Sequence, residues 1–392
     1  MTLLTKPEHD DRDLDAKPAD LRRIGLHPDF WYPVARSSSL KSGKVLGVHF
    51  AGDPIVLVRA VDGTCFALED RCAHRQVPLS NGVVCPKGLR CGYHGWTYDA
   101  EGRCIDIPYL GKDQCTGVRR PNGVRSYPCR EAYGLIFVFP GDPAKAETTA
   151  FPEVPTHGNP KFKTRYLDRR VDCHYSFMHE NLMDMNHQFL HRRLMGGIKT
   201  IFLGRRGGEN WVEADYSFGR TSGKQSLGEW FIIGKKDGDE SRKRRDHMTI
   251  RTEYPYQTLR FWTAGSETPA LDLWNVYIPV DKAQRVNHTF GMIMIQKPPI
   301  PGLIHLLWPF IVWFTEGIFR EDRWIVELEQ QAYDTQGGDW NQEIFPVILA
   351  LRDLLVRGGV PLDQDLSEAP SPEVPSPEVP SPEVPSKVSS GA

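Results

Sequence analysis

The sequence predicts an α+β protein in two folded parts, a small all-β domain followed by a larger domain that combines a broad antiparallel sheet with helices. Three observations carry that prediction. Short β-branched and aromatic runs, each closed by Gly, Pro, Asn or Asp, fill the chain from Trp31 to about Pro143. A second series of such runs begins near Trp211. Two stretches rich in helix-forming residues, one between Tyr166 and Met195 and one from Glu316, frame that second series.

Taken in order, residues 1–28 are polar, alternate acids with bases, lack the apolar core of a secretory signal, and read as a loosely held arm of a cytoplasmic chain. VLGVHFAG, PIVLVRAVDG, CFALED and LIFVFPG then read as strands of a domain over 29–143. DPAKAETTAFPEVPTHGNPKF has the composition of a linker and opens a second domain over 144–365. Within it, RYLDRRVDCHYSFMHENLMDMNHQFLHRRLMGG is expected to contain a helix. WVEADYSF, EWFIIGK, MTIRTEYPY, LRFWTAG, DLWNVYIPV and NHTFGMIMIQK are expected to be strands. EGIFREDRWIVELEQQAYD is amphipathic and predicts a second helix from Glu316. Residues 366–392 hold SPEVP three times from Ser371, a proline density that forms no packed core and predicts a disordered tail.

Composition narrows the function. A chain of 392 residues, 40% hydrophobic, has enough apolar sequence for two cores. A net charge of −2 supplies no basic field for nucleic acid, and the basic run Arg242 to Arg245 is interleaved with acids, as in a solvated hairpin loop. The eight cysteines, at 65, 72, 85, 91, 104, 115, 129 and 173, follow no disulfide pattern and are expected as ligands or core fillers of a reducing compartment. PPIPGLIHLLWPFIVWFT, residues 298–315, carries no charged side chain, yet its apolar part falls short of the roughly 20 residues of a bilayer span, and Pro309 interrupts it. It fits a core or subunit interface, or a monotopic membrane contact and entrance for a lipophilic substrate.

Two constellations carry chemistry. The first is C-x-H at Cys72 and His74, sixteen residues, then C-x-x-H at Cys91 and His94. Turns bring residues two or three apart toward one metal, and Gly92 and Gly95 allow close backbone approach. By spacing alone the set suits tetrahedral zinc or a two-iron, two-sulfide cluster; knuckles that each mix one Cys with one His favour the cluster. Cys85 lies between the knuckles without a histidine of its own and reads as a loop or core thiol. In the second constellation, a continuous helix would set Glu180, Asp184, His187 and His191 along one face of an otherwise apolar segment. Such a polar stripe needs a partner, and a metal ion is one. Two histidines and one distant carboxylate form the facial triad of non-heme iron(II) oxygenases.

FWYPVARSSSL, CAHRQVPLSNG, CGYHGWTYDAEG, ENLMDMNHQFLH and REDRWIVELEQQ, in that order over residues 29 to 335, resemble the oxygenase (alpha) component of Rieske non-heme iron oxygenases, in the vanillate- and dicamba-demethylase-like branch. The resemblance implies a Rieske [2Fe–2S] domain followed by a helix-grip-like catalytic domain with a curved antiparallel sheet. It implies Cys72, His74, Cys91 and His94 as cluster ligands, and His187, His191 and Asp322 as ligands of a mononuclear iron. Glu321, Glu327 and Glu329 are neighbouring carboxylates to which that last ligand position could shift. The family usually has four or five residues between its iron histidines; this chain has three. Asp184 maps onto the carboxylate that passes electrons from a Rieske histidine of a neighbouring subunit, here His94, and this implies a ring-shaped homotrimer. Asn181 is placed near the iron; His174 and His179 receive no role.

The implied function is a terminal oxygenase that takes O2 as co-substrate and hydroxylates or oxidatively demethylates an apolar aromatic, terpenoid or sterol-like molecule. No G-x-G-x-x-G follows a strand, so NAD(P)H is expected to act only through a separate flavin reductase, with or without a ferredoxin. The competing readings are a cluster-bearing electron carrier and a zinc-stabilised lipid-binding protein, neither with oxygenase activity.

Overall fold

In the computed structural model the described residues are 19–108, 110, 123–222 and 246–362, with the side chains of 220–222 left aside. Most of the expected N-terminal arm, Cys115, the EWFIIGK run, Arg242 to Arg245 and the Pro-rich tail lie outside them.

The first domain is all-β. One sheet orders Ser126–Tyr127, Cys65–Glu69, Asp53–Arg59 and Lys44–Phe50, and a second orders Cys129–Ala132, Leu135–Val138 and Tyr32–Arg36. The strand DPIVLVR shows why its run is continuously apolar rather than alternating. Ile55 and Leu57 enter the main core, whereas Val56 and Val58 enter a separate small core with Leu79, Leu89 and Tyr98. Both faces of this strand are covered, so both of its side-chain sets are hydrophobic. The small core carries a third sheet, Val83–Cys85, Gly88–Arg90, Thr97–Tyr98 and Cys104–Asp106, on which the Cys/His turns sit.

The second domain is built on a seven-stranded antiparallel sheet ordered Phe162–Val171, Asn287–Gln296, Leu271–Pro279, Tyr256–Trp262, His247–Glu253, Trp211–Ser222 and Gly197–Gly207. Its helices are α1 (Tyr175–Met183), α2 (Arg192–Met195), α3 (Leu303–Gln336) and α4 (Pro346–Gly358). Alternate sheet residues face opposite ways. Tyr216 Oη donates to the Met183 carbonyl at 2.8 Å and Gln257 Nε2 to the His179 carbonyl at 2.9 Å, so that face holds α1. Trp274 points the other way and meets Phe137 of the first domain. The sheet is therefore a middle layer, covered by helices on one side and by the N-terminal domain on the other. The hairpin tip at Ala51 and Gly52 seals the junction by donating to the Pro279 and Val280 carbonyls at 2.7 and 3.0 Å. A Cβ on Gly52 would lie 2.9 Å from the Lys282 amide nitrogen.

Three expectations are corrected. The arm is not loose over its described residues: Ile24–Gly25 pairs with Val360–Pro361, Leu21 is fully buried, and the Arg22 guanidinium reaches Ser176 and Glu180 on α1. The helix expected between Tyr166 and Met195 is present as α1, but it does not continue through His191: Phe162–Val171 is an edge strand and α1 stops at Asp184, whose φ of −91° and ψ of 92° leave the helical region. The second helix does not begin at Glu316. The apolar segment and the amphipathic one form a single helix of 34 residues, with Pro309 inside it.

Candidate metal centres

Cys72 and Cys91 head two turns of the same build. In the first, the Cys72 amide donates to the Val77 carbonyl and the Gln76 amide to the Cys72 carbonyl, both at 2.9 Å. In the second, the Cys91 amide donates to the Trp96 carbonyl at 2.8 Å and the Gly95 amide to the Cys91 carbonyl at 3.2 Å. The fifth residue of each turn is left-handed: Gly95, at φ +75°, adopts this freely, and Gln76, at φ +60°, adopts it under strain. Gly92 backs onto the Asn81 carbonyl, which a Cβ would approach to 2.8 Å. Asp70 fixes that neighbouring turn, accepting from the Ser80 amide and hydroxyl at 2.6 Å each.

Because the turns share a frame, thiol faces thiol side and imidazole faces imidazole. The His74 and His94 rings lie 4.6 Å apart, and His74 stacks on Trp96 at 4.7 Å. Both thiols are buried in the small core, while Tyr93 beside His94 is 58% exposed. Nδ1 of His74 is buried without a hydrogen-bond partner, a costly arrangement that a metal bond removes. Tyr98 accepts the Ala73 amide at 3.0 Å and sits 3.2 Å from Cys72 Sγ. Burial, then the Cys72 sulfur, push the phenol pKa up, so it remains a donor to that sulfur. Two buried sulfurs, two imidazoles nearer the surface and a hydrogen bond to one sulfur fit a two-iron, two-sulfide cluster. Cys85 ends its strand opposite Gly88, outside both turns.

The second constellation assembles where α1 breaks. Asp184 closes α1 and caps the 3-10 turn Met185–Phe189, its carboxylate accepting from the Asn186 amide and Nδ2 at 2.8 Å. That turn, rather than a continued helix, swings His187 and His191 beside α3. Their rings lie 5.2 Å apart at 78°. Asp322 Oδ1 is 3.2 Å from His191 Nε2 and 3.7 Å from His187 Nε2, and one ligand atom from each of the three residues falls within 4.8 Å of the others. The opposite ring nitrogens are held from behind: His187 Nδ1 donates to the Asp184 main-chain carbonyl and His191 Nδ1 to Glu321 Oε2 at 2.9 Å. Each Nε2 is thus the acceptor nitrogen and points inward, the tautomer a metal requires.

Electrostatics agree. Burial works against ionised Asp322, but the hydrogen bond and charge of His191, with His187 and Asn181, leave its carboxyl below the ordinary value. Burial likewise opposes a charged His191, and Asp322 and Glu321 outweigh it and raise its pKa. A cation is favoured at this point. Two neutral imidazoles and one carboxylate on one side of a centre fit a non-heme iron(II) site with open positions opposite. Three residues between the histidines suffice because the segment is a 3-10 turn after a break.

Asn181 Nδ2 donates to Asp322 Oδ1 at 3.1 Å, placing that residue at the site as expected. Glu180 does not face it and instead pairs with Arg22 and Arg352. Among the other carboxylates, Glu321 supports His191, Glu327 bonds Arg323 at 2.7 Å, and Glu329 is exposed further along α3. His174 caps α1 through Nδ1, and His179 is fully buried beside Tyr277, its pKa pushed down to about 3 by burial. Both are neutral residues of the fold. The support that Glu321 gives to His191 is not announced by the sequence, where the available signal is a second carboxylate next to Asp322.

Comparison with known proteins adds to this geometry. The profile of the Rieske [2Fe-2S] domain matches residues 30–128, and that of the vanillate O-demethylase oxygenase C-terminal domain matches residues 171–345. The chain is 31% identical over 362 residues to the 4beta-methylsterol monooxygenase of Methylococcus capsulatus, covering 89% of this chain and 93% of that one. It is 38% identical over 164 residues to the oxygenase component of dicamba O-demethylase from Stenotrophomonas maltophilia, covering 41% of this chain and 47% of that one. The crystal structure of dicamba monooxygenase bound to dicamba superposes with a TM-score of 0.68 at 24% identity, over 87% of this chain and 98% of that one, and shares the fold.

Proposed function

The chain belongs to the Rieske non-heme iron oxygenases, and from that premise we propose a site-by-site account of how it works and what it acts on. It is a terminal oxygenase that depends on a separate electron-transfer partner. Cys72, Cys91, His74 and His94 hold the [2Fe–2S] cluster, and His187, His191 and Asp322 hold the mononuclear iron. When bound, the cluster relays single electrons and the iron activates O2. The chain's own residues do the rest. Tyr98 donates to the Cys72 sulfur and tunes the cluster, Asn181 orients the Asp322 carboxylate, and Glu321 and the Asp184 carbonyl fix the two imidazoles.

The observation that carries this reading is the convergence of both Nε2 atoms on Asp322 Oδ1, with an acceptor behind each ring. An electron carrier or a zinc-stabilised lipid binder has no use for that arrangement.

Asp184 stands at the break that presents His187, and we assign it the electron path from the partner subunit's His94 in a homotrimer. Half-buried His94 and exposed Tyr93 leave the imidazole end of the cluster open to such a contact. The flavin reductase or ferredoxin docks near the same turns. The substrate is an apolar molecule of sterol-like, terpenoid or aromatic type, hydroxylated or oxidatively demethylated; similarity along nearly the whole chain to a methylsterol monooxygenase favours the sterol-like class. The protein works in the cytoplasm, with a peripheral membrane contact through residues 298–315.

Iron and acid-labile sulfide per chain, measured on anaerobically purified protein with an EPR spectrum after reduction, test the cofactor assignment. About three irons to about two sulfides with a Rieske signal are expected. Zinc without sulfide would overturn it.

A further inference from the structure

The first turns of α3 use one side for the protein and leave another apolar side bare. Ile304, Leu307, Ile311 and Phe314 pack on Leu167, Ile293 and Ile295 of the sheet. Leu306, Phe310 and Trp313, at i, i+4 and i+7, form a second stripe that is 71%, 50% and 63% exposed, and Ile300, just ahead of the helix, is 62% exposed. Three large apolar side chains along one helix face, with a fourth exposed just ahead of it, exceed what scattered exposure explains.

The flank of the stripe is basic. Lys163 Nζ lies 4.3 Å from the Trp308 ring centre and donates to His305 Nδ1 at 3.0 Å. Lys297 donates through its amide to the Lys161 carbonyl and through Nζ to the Pro160 carbonyl, both at 2.8 Å, which gathers Lys161, Lys163 and Lys297 at one edge. No Asp or Glu occurs from Lys297 to Thr315. Among the described residues, none of the three lysines has a carboxylate partner in an ion pair.

We infer that this surface seats the start of α3 at the headgroup level of an anionic phospholipid bilayer, with Leu306, Phe310 and Trp313 at the acyl boundary and the three lysines on lipid phosphates. The inference rests on the membrane contact proposed above and assigns its residues, orientation and lipid class. A spanning helix is not an alternative. The whole helix Leu303–Gln336 is long and apolar enough by length and composition, but the side of its first turns opposite the stripe is packed on the sheet. A second copy of the chain would bring the same lysines and no acid in this segment, whereas an anionic headgroup layer neutralises all three. The arrangement has a use. Asp322 lies nine residues beyond Trp313 on the same helix, about 14 Å along its axis, so a substrate dissolved in the bilayer meets the protein near the iron-binding residues.

The test is co-sedimentation of the full-length holoprotein with vesicles of phosphatidylcholine alone or mixed with phosphatidylglycerol, read together with tryptophan fluorescence. Binding to the mixed vesicles is expected to exceed binding to the neutral ones by about tenfold and to fall with added salt, with a blue shift of emission. Phe310→Ser/Trp313→Ser should lose binding to both vesicles at unchanged circular dichroism and solution mass. Lys163→Glu/Lys297→Glu should lose only the preference for phosphatidylglycerol. Equal binding to the two vesicle types would overturn the anionic surface while leaving the membrane contact. Failure of the wild type to bind either would overturn both. A change of solution mass in the Phe310/Trp313 variant would reassign the stripe to an interface between copies.

Discussion

The two candidate metal centres are built on opposite plans. The four Cys/His residues sit on two turns that close their own backbone hydrogen bonds, over a small core containing both cysteines. The His/His/Asp set is assembled from a break after α1 and from a helix far along the chain, and it exists only while α1 and α3 are packed together. A site made by local turns is fixed by short-range structure. A site made by packing inherits the mobility of the elements that meet there. The first should therefore tolerate changes in the second.

The largest effect expected from this contrast follows His187→Ala. The variant should bind the cluster with unchanged sulfide content and EPR signal, lose the mononuclear iron, and show no product formation. Measured turnover at the wild-type rate would sink the assignment of the iron site. Loss of the cluster signal would show instead that the two constellations are not independent.

Asp184→Asn probes the link between them. The side chain still caps the following turn, since an amide oxygen accepts the Asn186 amide as a carboxylate does, and the main-chain carbonyl behind His187 is untouched. Both metals should stay bound while single-turnover electron delivery to the iron slows by about 10- to 100-fold. Unchanged delivery would remove Asp184 from the path.

Smaller again is the effect at Glu321, which holds His191 Nδ1 at 2.9 Å. Removing an outer partner of a ligand histidine weakens metal binding by about 10- to 100-fold, so Glu321→Ala should lose iron to a chelator faster by that order, whereas Glu321→Gln, which keeps an acceptor oxygen, should be milder. Loss rates equal to wild type in Glu321→Ala would mean that packing alone holds the ring.

The same contrast explains what the sequence made legible. The Cys/His turns could be read because the two Cys/His pairs and their glycines fall within one short segment, where spacing and geometry are nearly the same thing. His187 and His191 were found through an assumed helix face that the fold does not contain. Asp184 breaks the helix, and a 3-10 turn brings the two rings together anyway, while Glu180, on the same assumed face, turns to Arg22 and Arg352. Asp322 was identifiable only by resemblance, since nothing local separates it from Glu321. The strand Phe162–Val171 was hidden because it lies at the sheet edge and carries five charged side chains among its ten residues. The arm misled because Arg22 is buried by its partners on α1, which no local pattern announces.

The finest test of the local plan is Cys85→Ser. Cys85 lies between the two knuckles and is the thiol closest in sequence to Cys91. If proximity along the chain chose the ligands, it would compete with Cys91. If the turn chooses them, it has no claim: it ends the strand Val83–Cys85, pairs with Gly88 across a hairpin, and has no histidine two or three residues on. Serine at this half-buried position removes little apolar contact, so stability should change by no more than about 0.5 kcal/mol. Sulfide content and the EPR spectrum should match the wild type, whereas Cys91→Ser should lose both. A loss of sulfide in Cys85→Ser would mean that the left-handed residues at 76 and 95 shape the loops without selecting the ligands, and the comparison between a locally built and a packed site would fail on its stronger side.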